Sequence, residues 1–410
     1  MKPAQVLILN DYAHINGGAS AVALHSAVAL ARRGIHVVFF AAAGPVSDIL
    51  SSEPNIEVHC LNQCDILHEP NRFRAMFRGI YNRQALKQLD ALLQQLTPQE
   101  SVIHVHSWTK ALSPAVLGLA GRSSHPMVVT LHDYFISCPN GGFFIYPREK
   151  ACHLDPLSPS CLACNCDRRN ILHKQWRVLR TVFQNKIWQC PQHADHFIFV
   201  SAFMKERLQS RLPPHIPQTI IEAPIQVPQR PRVEVSKNKN LVFCGRLVPE
   251  KGPHLLAEAA SGKNWPVVYI GDGEMRPRLE QYGRNIRITG WLNAEQMDLE
   301  LRQARALVFP SQWPEPFGIT VFEAAAHGVP VVVSRHTAPA DLLHDGIQAL
   351  HFETSSIPSL QTQLEKLESD ERVDSLGRQA YDWFWKQPFG PDQHLDRLLD
   401  VYRAALDVSP

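Results

Sequence analysis

Glu315 and Glu323 stand in the stretch PSQWPEPFGITVFEAAAHGVPVVVS (310–334), otherwise made of apolar and small residues. Pro310, Pro314 and Pro316 stiffen its start and Gly318 opens a helix, so Glu315 belongs to a strand-to-helix loop and Glu323 to that helix's second turn. Backbone N–H groups of Gly318, Ile319 and Thr320 are then free at a helix N-terminus, where anions are favoured. One carboxylate can face a reacting group while the other accepts hydrogen bonds from the hydroxyls of a ribose. The plainer alternative is a glutamate near a helix start that complements the helix dipole.

Other loops carry the opposite charge. In LVFCGRLVPEKGPHLL, Gly245 ends a strand, Arg246 follows, and Lys251 arrives before a helix. A guanidinium fork and an ammonium there suit a diphosphate; the alternative is two solvated surface charges. Gly271, Asp272 and Gly273 make a tight turn after PVVYI that either admits a nucleotide closely or is only a turn. Gly17 and Gly18 precede a helix after QVLIL, and His132 directly follows MVVTL, a position that points into a cleft or makes a buried structural hydrogen bond. His104 and His106 flank another strand end and read as structural.

The elements that must position these residues are continuous apolar runs: 5–9, 35–41, 102–105, 127–131 and 196–200, then 241–244, 266–270, 306–309 and 330–333. Amphipathic segments separate them, the pattern of buried parallel strands with crossover helices. Two doubly wound α/β domains are expected. The Pro-rich, charged stretch 223–240 joins them, and KQPFGP (386–391) breaks a helix before a last amphipathic segment. The expected division is 1–225, 226–387 and a final helix, 388–410, whose return to the first domain is implied only by resemblance to relatives. Open parallel sheets bind ligands beyond the carboxyl ends of their strands, so two facing sheets make a cleft.

With 410 residues, 45% hydrophobic and 20% charged, the chain has a globular composition, and a net charge of +2 argues against a nucleic-acid binder. No apolar run has the length of a signal peptide's core or a membrane span, so a cytosolic protein is expected, free or peripheral on the inner face of the plasma membrane. Nine cysteines, an odd number, argue for reduced thiols. Five of them fall in 138–166, where Cys138, Cys152, Cys161 and Cys164 either close a structural zinc site, with Cys166 or His153 able to replace one ligand, or lie in a reduced surface loop. The segments 71–87 and 168–188 interleave Lys and Arg with Phe, Trp, Leu and Ile and hold no acid. Each reads either as a helix with a solvated basic face or as one that lies on an anionic membrane surface.

Taken together, GGASAVALHSAVALARRG, LHDYFISCP, FVSAFMKERL, CGRLVPEKG, IGDGE and PEPFGITVFEAAAHGVPVV resemble the glycosyltransferase family 4 (group 1) enzymes, retaining transferases of the GT-B fold. The resemblance covers most of the chain. It implies that Glu315 orients the donor sugar of a nucleotide sugar and Glu323 holds the ribose. Arg246 and Lys251 match residues that neutralise the diphosphate, so no cofactor is needed for catalysis. Gly17 and Gly18 match a loop near the phosphates and acceptor, and His132 a cleft histidine near the donor sugar. Gly271, Asp272, Gly273, Phe317, Gly318 and Ile319 fall in the donor-binding segments. The implied partners are a UDP- or GDP-sugar and a glycan or lipid-linked acceptor, in a surface polysaccharide or glycolipid pathway. The pattern departs at RHTAPADLLHDG (335–346), where Thr337 to Pro339 stand in place of paired glycines and Asp341 in place of a glutamate. That departure favours, as the alternative, a protein that binds the sugar nucleotide without transfer.

Overall fold

The structure, a computed structural model, describes residues 3–263 and 265–408. Its first sheet contains β1 (Gln5–Tyr12), β2 (His36–Ala43), β3 (Ile56–Cys60), β4 (Ser101–Val105) and β5 (Met127–Leu131). A hairpin of β6 (Phe144–Ile145) and β7 (Lys150–Ala151) follows, and β8 (His196–Phe199) and β9 (Gln218–Ile220) complete the sheet in the order β3-β2-β1-β4-β5-β8-β9. The second sheet, β10 (Asn240–Cys244), β11 (Val267–Ile270), β12 (Ile286–Gly290), β13 (Ala304–Phe309), β14 (Val331–Ser334) and β15 (Ala349–Phe352), is ordered β12-β11-β10-β13-β14-β15. Every ladder in both sheets is parallel. These are the two doubly wound α/β sheets expected from the apolar runs.

Strand order reverses between β1 and β4 in one sheet and between β10 and β13 in the other. At such a switch point neighbouring crossovers run to opposite faces and leave a crevice at the carboxyl ends. The loops that open there are 13–17, 106–113, 245–252 and 310–318.

The helix Pro391–Val408 packs on the first sheet: Leu395, Leu398, Leu399 and Tyr402 share one apolar cluster with Val6, Ile8, Ala23 and Ala27. Each such leucine contributes about 1.5–3 kcal/mol by burial. Tyr402 also hydrogen-bonds His104 Nδ1 at 2.6 Å. Before it, the break at 387–390 is held by Phe389, whose ring lies against Phe317, Phe322, Trp383 and Phe384.

The basic segment 71–87 departs from the single helix its pattern suggests. It forms Arg72–Arg78 and the start of Arg83–Leu93, the second capped by Asn82, whose side chain accepts from Ala85 N. Gly79 lies at the break, where a Cβ would meet the Trp176 ring at 2.7 Å. No helix of the described residues is long and apolar enough to cross a membrane.

Candidate active site

The loop from β13 to the helix Ile319–His327 carries Glu315, which is 8% exposed. Its carboxylate pairs with the Lys251 ammonium and accepts from Trp313 Nε1 at 2.8 Å and Ser311 Oγ at 3.3 Å. Lys251 reaches it from the β10 loop and lies 5.0 Å from the centre of the Trp313 ring. The two loops can touch because Gly252 (φ 68°) lacks a Cβ, which would sit 2.1 Å from the Pro310 carbonyl oxygen.

The first domain holds this loop from the other side. Tyr134 Oη donates to the Pro314 carbonyl at 2.8 Å and Ser201 Oγ to the Pro316 carbonyl at 2.6 Å. Ser201 also caps the helix Ala202–Leu208, so one side chain fixes both a helix start and the loop. Arg168 adds an ion pair to Glu250 at 2.5 Å.

Glu323 is half-buried on the same helix and has no hydrogen-bond partner among the described residues. Burial pushes its carboxyl up to about 7. Arg246 is exposed and likewise unpaired among the described residues. These two groups are left open to a ligand, whereas Lys251 is already committed to Glu315.

Gly17 (φ 112°) caps the helix Gly18–Arg32, and a Cβ at Gly18 would lie 3.2 Å from Ile319 Cδ1. Two helix N-termini, one per domain, therefore meet across the crevice. His132 is half-buried there, its Nε2 at 3.0 Å from His106 Nδ1. Burial, with His394 as a second cause, pushes His132 down to about 3, so it is neutral at pH 7. His104 bonds Thr130 and Tyr402, and both it and His106 are buried.

Other residues singled out in the sequence are placed differently. Asp272 spends its oxygens on its own turn, accepting from Gly273 N at 2.7 Å and Arg276 Nη1 at 3.0 Å. Gly271 (φ 135°) is where backbone meets backbone, since a Cβ would be 2.1 Å from the Gly245 carbonyl oxygen. Phe317 is 4% exposed and packs on Phe322, with ring centres 4.6 Å apart. Its side chain serves the core, because a strand-to-helix turn must cover the helix it opens, while Gly318 and Ile319 present backbone to the crevice.

In the departing segment Thr337 is fully buried, donates to the Ser334 carbonyl at 2.6 Å and precedes the helix Ala338–Leu342. Its Ala338 N–H donates to the Glu315 carbonyl at 3.0 Å, and Pro339 packs under Gly318.

Cys138, Cys161 and Cys166 are buried, Cys152 and Cys164 partly so, and all are free thiols. Among the described residues no three His, Cys, Asp or Glu side chains stand as a metal ion would need. The cation among these thiols is the Lys174 ammonium, 3.4 Å from Cys161 Sγ on a fully buried side chain. An ammonium has three protons to donate, and here one reaches a sulfur of the cysteine segment.

Tyr134, Ser201, Trp313, the half-buried Lys110 and the buried Arg180 were not singled out in the sequence. Tyr134 and Ser201 lie inside quoted motifs, but nothing local points to a carbonyl more than a hundred residues away.

Residues 16–225 match the model of Glycosyltransferase Family 4, and residues 228–383 that of Glycosyl transferases group 1. D-rhamnosyltransferase WbpZ of Pseudomonas aeruginosa is 29% identical over 154 residues, 36% of this chain and 36% of that protein. O-antigen chain mannosyltransferase C of Escherichia coli is 27% identical over 173 residues, 40% of this chain and 47% of that protein. The chain thus spans less than half the length of either relative. Anabaena Alr3699/HepE, solved in complex with UDP-glucose, superposes with a TM-score of 0.67 at 16% identity over 98% of this chain and 99% of that one, a likeness of fold. With both family models matched in order and the GT-B arrangement of two facing parallel sheets, the chain belongs to the group 1 glycosyltransferases.

Proposed function

We propose that this protein is a retaining, metal-independent glycosyltransferase that moves a sugar from a UDP- or GDP-sugar to a glycan or lipid-linked acceptor in surface polysaccharide or glycolipid synthesis. The observation that carries the reading is Glu315, a buried carboxylate charge-paired by Lys251 and fixed by Trp313 on a loop held from the opposite domain. A group so immobilised orients a donor sugar; it is not free to move protons. Arg246 and Glu323 offer an unpaired cation for a diphosphate and an unpaired carboxylate for a ribose diol. Retention follows from attack on the face the leaving group departs. The acceptor oxygen bonds to the anomeric carbon, the bond from that carbon to the phosphate oxygen breaks, and that oxygen takes the acceptor's proton. The solved complex of HepE with UDP-glucose and the relatives named for rhamnosyl and mannosyl transfer support the use of a nucleotide sugar for glycosyl transfer.

A thermal-shift panel of UDP-, GDP-, ADP- and dTDP-sugars on wild type and Arg246→Ala tests it. A donor at about a hundred times its Kd stabilises the native state by about 2.7 kcal/mol. A shift confined to one nucleotide class and weakened by Arg246→Ala supports the reading, and a folded protein that no sugar nucleotide shifts defeats it.

The departing segment, a proline-bearing helix packed under Gly318, favours a second reading, binding without transfer. Donor turnover separates the two: a donor that binds but is neither transferred nor hydrolysed supports the second.

The same reading puts the first domain on an anionic membrane. Helices Arg72–Arg78 and Ile171–Val182 adjoin, with Trp176 Nε1 donating to the Met76 carbonyl at 3.2 Å. Together with the turn before the second helix they expose Phe73 (75%), Phe77 (68%) and Leu172 (75%) among the exposed Arg72, Arg74 and Arg169. Apolar side chains ringed by cations complement an anionic lipid surface.

A further inference from the structure

Residues 142–168 of the first domain, in the segment that carries the cysteines, reach the second domain at several points. Gly142 lies against Trp313, where a Cβ would stand 3.5 Å from the ring. Glu149, in the turn between β6 and β7, has its carboxylate 3.5 Å from His254 Nε2. Arg168 pairs with Glu250 at 2.5 Å and approaches Glu274 at 3.6 Å. Glu250 and His254 flank Lys251 in the chain, and Trp313 bonds Glu315, so most of these contacts fall on the residues that surround the Lys251–Glu315 pair.

Arg168 is held in place before it reaches across. Its neighbour Asp167 is 1% exposed and pairs with Arg177 at 2.7 Å. The carbonyl of Cys166 accepts from Asn140 Nδ2 at 2.7 Å and from Tyr146 N at 3.4 Å, which ties the hairpin to the same stretch. The guanidinium lies 5.1 Å from the centre of the Tyr146 ring. An arginine anchored through its backbone and stacked on one face has little rotamer freedom left to lose when it meets a carboxylate. Glu250 is 5% exposed, and Arg168 is the cation within ion-pairing distance of it among the described residues.

Glu250 transmits the contact. Its carbonyl accepts from Gln312 N at 2.9 Å and Trp313 N at 3.3 Å, and the next residue is Lys251, which pairs with Glu315. The turn Pro249–Lys251 that Arg168 holds from the first domain therefore supports both sides of the Glu315 carboxylate. Parting the domains breaks the Arg168 pair and frees that turn.

We propose that Arg168 is a positioning residue for transfer: through Glu250 it clamps the turn that carries Lys251, so the Lys251–Glu315 pair takes its working geometry when the cysteine-bearing segment has closed on the second domain. The proposal rests on the glycosyltransferase reading and adds to it a residue that touches neither donor nor acceptor.

The test compares wild type, Arg168→Met, Arg168→Lys and the double variant Arg168→Met, Glu250→Gln as full chains. Three quantities are read: amide exchange at 142–151 and 249–254 without ligand, UDP and GDP binding by calorimetry, and kcat with the donor that the thermal-shift panel selects. Arg168→Met should exchange faster at both segments and lose about tenfold in kcat, with the nucleotide Kd within twofold of wild type. Arg168→Lys keeps the charge and should regain most of both losses. The double variant no longer strands a buried carboxylate, so it should regain stability in urea while kcat stays low. If kcat returns with stability, Arg168 is merely structural and the proposal fails. It also fails if Arg168→Met matches wild type in exchange and kcat, or if it weakens the nucleotide as much as it lowers kcat, which would put Arg168 on the donor. If wild type binds or turns over no donor, the transferase reading fails; faster exchange in Arg168→Met then leaves the interdomain clamp standing, and unchanged exchange sinks that too. The Arg168 side chain is 36% exposed, so its replacement opens no hole in a core, and urea unfolding checks that each variant is folded.

Discussion

The Tyr134 hydroxyl donates to the Pro314 carbonyl at 2.8 Å, so a residue of the first domain grips the backbone immediately before Glu315 of the second. Ser201 grips Pro316 on the other side. A carboxylate between two such anchors has its position set by domain closure. Tyr134→Phe removes the donor and leaves a buried carbonyl unpaired, at a cost of about 1–3 kcal/mol. We expect that loss in urea unfolding, together with a fall in kcat of about tenfold and nucleotide affinity within twofold of wild type, since the grip holds the backbone beside Glu315 and touches neither Arg246 nor Glu323.

If Glu323 holds the ribose as proposed, nucleotide binding should depend on pH. Its carboxyl, raised by burial from 4.5 to about 7, is still largely protonated at pH 6. Only the carboxylate accepts from both hydroxyls of a diol, so affinity should rise as pH passes from 6 to 8 and then level off. Stability runs the opposite way: the folded state holds this proton to higher pH than the unfolded chain, so its contribution is full below about 4.5 and is lost as pH rises through about 7. Titration calorimetry on Glu323→Gln should show a flat profile through the same range. An unchanged slope would assign the titration to another group.

Lys251 and Arg246 should separate by kinetics. Arg246 is unpaired in the free protein, so Arg246→Ala is expected to weaken nucleotide binding by about tenfold and leave the melting temperature unchanged. Lys251→Ala strands the buried Glu315 carboxylate, which costs about 3–5 kcal/mol when a buried ion pair loses one partner. The double variant Lys251→Ala, Glu315→Gln should recover part of that stability without recovering transfer.

Two glycines test close approach. Gly271→Ala puts a Cβ 2.1 Å from the Gly245 carbonyl oxygen at φ 135°, and we expect a loss of several kcal/mol, on the order of 3, in unfolding experiments. Gly18→Ala meets only the end of a flexible Ile319 side chain at 3.2 Å, so stability should change by less than about 1 kcal/mol. Gly18→Val, whose added methyls enter the crevice, should instead raise the donor KM.

Phe73, Phe77 and Leu172 test the membrane face. Wild type should sediment with vesicles containing anionic lipid and release at high salt; replacing all three by Ser should abolish sedimentation without loss of stability, since each is largely exposed. Equal partitioning onto neutral and anionic vesicles would refute electrostatic docking.

How much of this was legible beforehand varies with the kind of residue. The central strands β1, β2, β4, β5, β8, β10, β11, β13 and β14 are continuous apolar runs, because both of their faces are covered. Apart from the short hairpin β6–β7, the strands absent from that reading, β3, β9, β12 and β15, are the four edges of the two parallel sheets. Three of them are only half-buried, with sequences such as IEVHC and IRITG that carry polar side chains toward solvent. The loops with Glu315, Glu323, Arg246 and Gly17 were legible because their glycines, prolines and charges are local necessities of a strand-to-helix turn.

Partnership was not legible. Nothing local announces that the Lys251 ammonium pairs with Glu315, or that the Lys174 ammonium lies beside Cys161 in the cysteine segment read either as a zinc site or as a reduced loop. The sequence by itself determined the fold class, a cleft beyond the carboxyl ends of two facing sheets, and the family resemblance. Only the tertiary structure decided which charges are paired inside the protein, as Lys251 is with Glu315, and which, like Glu323 and Arg246, have no hydrogen-bond partner among the described residues. The physical reason is range: burial pattern and turn chemistry are written within a few residues, whereas an ion pair or its absence depends on groups that folding brings together from distant parts of the chain.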